Sequence, residues 1–293
     1  DRDVTGVQTC ALPICQVGSA GKFYLYDHFF RGGTGYNIWC SRLLFSPDMT
    51  YSKLGKTFEE HYAPIKNGLG RLLIESDYIK QPIGIHYSQK SCHVAYALDE
   101  FYLWKASREG FQKLAENSGF DIKHISYEQI EDGELKNIKV LYLPCSYSLS
   151  DKEVVAIKEF VRNGGLLISQ MGTGMADGYG KVYKDKGSLD EVLGIRRTNY
   201  ELIKRNGRIT STSSEHGFNI PEVPVKSYET GISATTAKVL AQINKSPVAF
   251  LNSYGEGKAL YLACDIFPVY SGQTVFSVAD ILIGYDKGAF NSE

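Results

Sequence analysis

The chain lacks a strong charge of either sign. Lys and Arg number 32 against 33 Asp and Glu, a formal net charge of −1, so no global field draws it to nucleic acid or to an anionic membrane. Short basic clusters such as Arg196-Arg197 and Lys204-Arg205 read as a solvated face. No apolar run approaches the ~20 residues a membrane span needs, and no signal peptide is recognisable. Cysteine is sparse, with 6 residues and no CxxC pair, which points away from a zinc site and from a disulfide framework. Cys40, Cys92, Cys145 and Cys264 fit reduced thiols buried as small hydrophobes. Neither GxxxxGK[ST] nor GxGxxG occurs, and no metal or other cofactor is expected. What remains is ordinary for a globular protein. There are 293 residues, 43% apolar and 22% charged, enough for one large domain or two average ones.

The first residues look foreign to the fold. Val4 to Ile14 read VTGVQTCALPI, which resembles the translation of a short-read sequencing adapter. Residues 1–15 are therefore set aside as an artefact. The expectation is that the reading frame begins inside a longer gene, so that the compartment, cytoplasm or periplasm, stays open.

Two segments follow, with the best boundary near Ser76 to Pro82, where polar residues lead into a proline. In the first, Lys22 to Phe30 reads as a helix ended by Gly32 and Gly33, and Tyr36 to Trp39 as a short strand. Thr57 to Ile74 has helical periodicity, weakened at Gly68 and Gly70. The second segment alternates strand and helix. Ile83–Tyr87, Ile122–Ser126, Val140–Leu143 and Leu166–Ser169 read as strands, the last short and apolar as in a buried parallel sheet. Asp99 to Ser118 has helical spacing up to Gly119, and Ser150 with Glu153 three residues on forms a capping box. Further on, Leu189–Leu193 reads as a short helix. Val239–Ile243, Val248–Leu251 and Ala259–Ala263 read as strands, with Tyr254-Gly-Glu-Gly257 as a hairpin turn, and Thr274–Ile283 as a last helix. Strict alternation predicts a doubly wound α/β sheet, mostly parallel.

Five stretches carry a family resemblance. They are Val140-Leu-Tyr-Leu-Pro144, Phe160-Val-Arg-Asn-Gly-Gly165, Gly172-Thr-Gly-Met-Ala-Asp177, Gly187-Ser-Leu-Asp-Glu-Val-Leu-Gly194 and Tyr254-Gly-Glu-Gly-Lys-Ala-Leu-Tyr261. Their order and spacing resemble the trimerisation domain of family 42 β-galactosidases. The resemblance implies a class I glutamine-amidotransferase-like (flavodoxin-like) fold for residues 81–293, a homotrimer, and no nucleic-acid or membrane partner. Gly32-Gly-Thr-Gly-Tyr-Asn-Ile-Trp39 resembles the last unit of the same enzymes' (β/α)8 barrel, so residues 16–80 are expected to be a barrel end. A Glu and a His that follow the eighth strand in better-studied members have no counterpart between Ser41 and Thr50.

An amidotransferase-like fold invites a glutaminase reading, which needs a Cys on a tight strand-to-helix turn with a His and an acid nearby. The turn after Leu166–Ser169 holds Met171-Gly-Thr-Gly174 instead, and Cys145 follows the preceding strand. Gly172, Thr173, Gly174 and Asp177 form a loop of unknown role, expected to serve backbone packing or a subunit contact. Glycoside hydrolysis needs two carboxyl groups flanking the bond, ~5–5.5 Å apart in a retaining enzyme. In such barrels they stand at the ends of strands four and seven, which should lie upstream. Glu59, Glu60 and Glu75 read as surface carboxylates, and Asp27 and His28 as structural. No catalytic residue is therefore expected on this chain. Trp39, at the end of strand eight, is the candidate to stack on a sugar, with Arg42 and Asp48 in the loop beyond it as weaker substrate-binding candidates. The expected function is that of a C-terminal part of a β-galactosidase-like hydrolase, its carbohydrate substrate bound by the missing barrel. The alternative is a carbohydrate-binding or structural α/β module of an unrelated multidomain protein.

Overall fold

The structure, a computed structural model, describes residues 25–26, 28–30, 33, 44–76, 82–213 and 217–266. The segments read as adapter-derived, as the strand Tyr36 to Trp39 and as the helix Thr274 to Ile283 lie outside them, as do Trp39 and Arg42. The chain divides into two compact units, Asp1–Ile79 and Lys80–Glu293.

In the first unit α1 spans Lys53–Pro64, capped by the Ser52 hydroxyl, which accepts the Gly55 N–H. A π-helical turn, Ile65–Leu69, leads into α2, Gly70–Glu75. The helical pattern over Thr57 to Ile74 is thus interrupted where its glycines weaken it, and the break falls at Gly68, whose φ of 128° is open to glycine. Ile65 is buried with Leu25 and Phe29, and Phe58, Tyr62, Leu69 and Leu73 pack around them.

The second unit is built on an eight-stranded sheet. Its strands are β1 (Ile83–Tyr87), β2 (Lys123–Ser126), β3 (Val140–Leu143), β4 (Leu166–Gln170), β7 (Thr210–Ser211), β10 (Lys238–Ile243), β11 (Ser246–Tyr254) and β12 (Gly257–Leu262), in the order β2-β1-β3-β4-β12-β11-β10-β7. The four pairings from β2 to β12 are parallel, and those from β12 to β7 antiparallel. The first part therefore has the 2-1-3-4 order of flavodoxin-like sheets, and the hairpin β11–β12 extends it. β3 and β4 are buried along their whole length, which is why β3 is an unbroken apolar run and β4 opens with Leu166-Leu-Ile168 instead of alternating.

Five α-helices of the second unit lie between its strands in chain order. α3 spans Gln89–Ala97, α4 Phe101–Asn117, α5 Tyr127–Glu131, α6 Asp151–Arg162 and α7 Asp190–Leu193. α6 buries Ile157, Phe160 and Val161 against the sheet, and the Ser150/Glu153 capping box is formed as its sequence predicts. α3 escaped the sequence because it buries only Ser91 and Ala95 and so lacks an apolar stripe. Two further strands, β5 (Ile195–Ile203) and β9 (Tyr228–Ala234), pair antiparallel, and short β6 (Gly207–Arg208) pairs with β8 (Pro224–Val225). Three consecutive polar residues, Arg196-Arg197-Thr198, hide the strand period of β5, and its register slips between Arg197 and Glu201. One core runs from Ile83 to Ile266 and includes Phe111, Tyr142, Ile168, Phe250 and Tyr261.

Candidate functional site

In a doubly wound sheet the ligand crevice lies outside the C-terminal ends of the parallel strands. Here the loops after β1, β3 and β4 meet at that end. Leaving β4, Gly172 turns with φ +71°, and a Cβ there would overlap the Tyr147 ring. Only glycine fits both demands. The loop's backbone donors are all engaged. Gly172 N–H donates to Glu229 Oε1 at 2.7 Å. Thr173 N–H goes to the Gln170 carbonyl, Gly174 to Ser146, Met175 to Gly172, Ala176 to Tyr147 and Asp177 to Lys181. Asp177 Oδ1 accepts from Tyr179 and Lys181 N–H, each at 2.9 Å. A phosphate would need some of these donors free. Instead the buried Glu229 carboxylate fills the anion's place, taking the Tyr261 hydroxyl as well. Thr173 contributes its carbonyl, which accepts Arg197 Nη2 at 3.0 Å, while Arg197 pairs with Asp190.

The glutaminase position is likewise filled. Met171, buried, follows β4. Cys145 follows β3 on a sharp corner with φ +43°. Burial pushes its thiol up, well above the ordinary value, so it is protonated and a poor nucleophile. Cys264 is buried and shifted the same way, again by burial, and Cys92 is half-buried and free.

One constellation was not legible. His86 on β1 bridges Ser146, at 2.8 Å from Nδ1, and Glu153 on α6, at 3.0 Å from Nε2. Glu153 Oε2 also accepts the Ser150 N–H at 2.8 Å. Burial opposes the charge on Glu153, but the bonds from His86 and Ser150 outweigh it and hold the carboxyl below its usual range. The residue types are those of a nucleophilic triad, yet all three are buried, so no substrate reaches the Ser146 hydroxyl. The array ties β1, the β3 loop and the α6 N-terminus together. The capping box gave a signal for Glu153 alone. Beneath it a second buried network joins Ser107, Tyr142 and Gln170, with Gln170 Nε2 donating to the Cys264 carbonyl at 3.0 Å.

Among the described residues the buried carboxylates are Glu100, Glu153, Glu229 and Asp265. Glu100 pairs with Lys204 at 2.6 Å, and Asp265 accepts the Lys226 N–H at 2.9 Å. Glu153 and Glu229 have both carboxylate oxygens hydrogen-bonded. No group of three or more His, Cys, Asp or Glu among the described residues could hold a metal, and no described helix is long and apolar enough to cross a membrane.

The 2-1-3-4 parallel order with flanking helices defines an α/β domain of the flavodoxin-like class. The family follows from the sequence. Residues 124–277 match the family described as the β-galactosidase trimerisation domain, and the chain belongs to it. It is 24% identical over 170 residues to β-galactosidase BbgII of Bifidobacterium bifidum, covering 55% of this chain and 24% of that one. It is 25% identical over 154 residues to β-galactosidase LacZ of Heyndrickxia coagulans, covering 50% and 22%. The chain thus spans about a quarter of the length of these relatives. Among solved structures it resembles Gan42B, a GH42 β-galactosidase from G. stearothermophilus, with a TM-score of 0.67 and 18% identity over 86% of this chain and 39% of that one. The cold-adapted β-galactosidase of Rahnella sp. R3 gives 0.65 and 16%, over 81% and 35%. These two likenesses are of fold.

Proposed function

We propose that the chain is the assembly part of a β-galactosidase-like glycoside hydrolase. In this reading residues 81–293 hold copies together as a homotrimer, and residues 16–80 close the end of a (β/α)8 barrel that binds the carbohydrate. The observation that carries it is the family match over residues 124–277. The filled crevice supports it, because a domain that has closed its own ligand site is left with a scaffolding task. Trp39 and Arg42 would belong to the barrel's sugar-binding end, the indole stacking on the apolar face of the ring. The catalytic carboxylates would lie outside this chain.

The assay is release of nitrophenol from a nitrophenyl β-galactoside by the full chain, with its mass measured in parallel by light scattering. No release above background is expected, together with a mass three times that of one chain. Hydrolysis abolished by substituting a Glu of this chain would overturn the non-catalytic reading, and a monomer at high micromolar concentration would overturn the assembly.

A further inference from the structure

We propose that the C-terminal end of the parallel sheet is the surface by which one copy grips the next, through two unlike halves that meet head to tail. The proposal rests on the self-association reading above and adds where the contact lies. The first half is the corner between α3 and α4. Tyr96 is 77% and Tyr102 83% exposed, with Leu98 exposed between them. Both tyrosines lean on half-buried Phe101, with ring centroids 6.3 Å and 5.8 Å away. A single exposed apolar side chain is ordinary; a cluster of large ones marks a contact surface, and tyrosine is enriched in the cores of such surfaces.

The second half is the tip of the loop after β4. Tyr179 is 100% and Val182 48% exposed. The tip is pinned by Asp177, which accepts from Tyr179 and Lys181, and by bridges from Ala176 to Val182 and to Ser148. The two halves adjoin, since a Cβ at Gly180 would lie 3.2 Å from Val94 of α3. Their charges are opposite. At the corner Asp99 and Glu100 share one cation, Lys204, which pairs with Glu100 at 2.6 Å and is also drawn by Asp99. The loop carries Lys181, Lys184 and Lys186 against Asp177 and Asp185. Like halves facing each other would repel, whereas corner on loop is complementary. Made in one direction only, with each copy's other half left for a third copy, such a contact is heterologous and closes into a ring when the rotation allows.

The test uses the full chain. In one arm Tyr96→Ser and Tyr102→Ser are combined, and assembly is followed by light scattering across concentration, with circular dichroism to check the fold. In the other, Tyr102→Cys and Tyr179→Cys are each oxidised alone and as a mixture, with the parent chain as control for its own thiols. The expected results are a rise of about tenfold or more in the concentration needed for assembly, and disulfide-linked pairs in the mixture only. Assembly unmoved by the tyrosine pair, with no added links in the mixture, would overturn this surface and leave self-association standing. Links within one variant alone would overturn the head-to-tail arrangement. A parent chain that stays monomeric would remove the self-association reading, and this proposal with it.

Discussion

Glu153 shows how one side chain can serve two elements. It completes the α6 cap through Ser150 and holds His86 of β1. Glu153→Gln keeps the shape, but its amide N–H must face either the Ser150 N–H, which then loses its acceptor, or His86 Nε2, which can accept only with its proton moved to Nδ1. The expected cost is about 1–3 kcal/mol, read from urea unfolding near neutral pH. The sign with pH follows from the lowered carboxyl. Its contribution is present above the ordinary value of 4.5 and is lost as pH falls through the lower folded one. Asp190 and Asp265 run the other way, because burial raises both, so the parent's acid profile mixes opposing effects. The informative quantity is the stability difference between parent and Glu153→Gln. It should shrink as pH falls below the ordinary value of 4.5; a constant difference would show that the charge on Glu153 contributes nothing. Ser150 and Glu153 were legible because a capping box spans three residues. His86 and Ser146 were not, because His86 lies 60 positions from Ser146 and 67 from Glu153, and no local pattern encodes so distant a pairing.

Among elements, β3, β4 and α6 were readable because burial marks each: four apolar residues in a row in β3, three at the start of β4, and a stripe at helical spacing in α6. α3 and the β5–β9 pair were hidden, the first by a nearly polar helix surface and the second by consecutive polar residues where the register slips. The loop after β4 lies between these cases, since its glycines were visible but their reason was not. Comparing Gly172 with Gly119 separates the two reasons. Gly119 ends α4 with φ +82° and has open space where a Cβ would stand, so Gly119→Ala should cost only the left-handed backbone penalty of ~1–2 kcal/mol. Gly172→Ala has the same backbone penalty and drives a methyl into the Tyr147 ring, adding about 1–3 kcal/mol for overpacking. The Gly172 variant should be the less stable of the two by that difference. Equal urea midpoints would mean that Tyr147 yields freely and that the loop is looser than its hydrogen bonds indicate.

At the scale of the whole chain the two units differ in what they bury. The large core, from Ile83 to Ile266, is drawn entirely from the second unit and spans β1 through β12. The described core of the first unit is Leu25, Phe29 and Ile65, with a few half-buried aromatics and leucines around them. Hydrophobic stabilisation scales with apolar area removed from water, and small units bury too little to offset the entropy of ordering. Residues 80–293 expressed alone should therefore unfold in one cooperative transition, with a urea midpoint close to that of the same transition in the full chain. Residues 1–79 alone should show no cooperative transition. The slope of free energy with urea reports the surface exposed, so the isolated second unit should keep most of the full chain's value. A broad, shallow transition for residues 80–293 would mean that its core depends on the preceding residues. The two units would then have to be treated as one folding body.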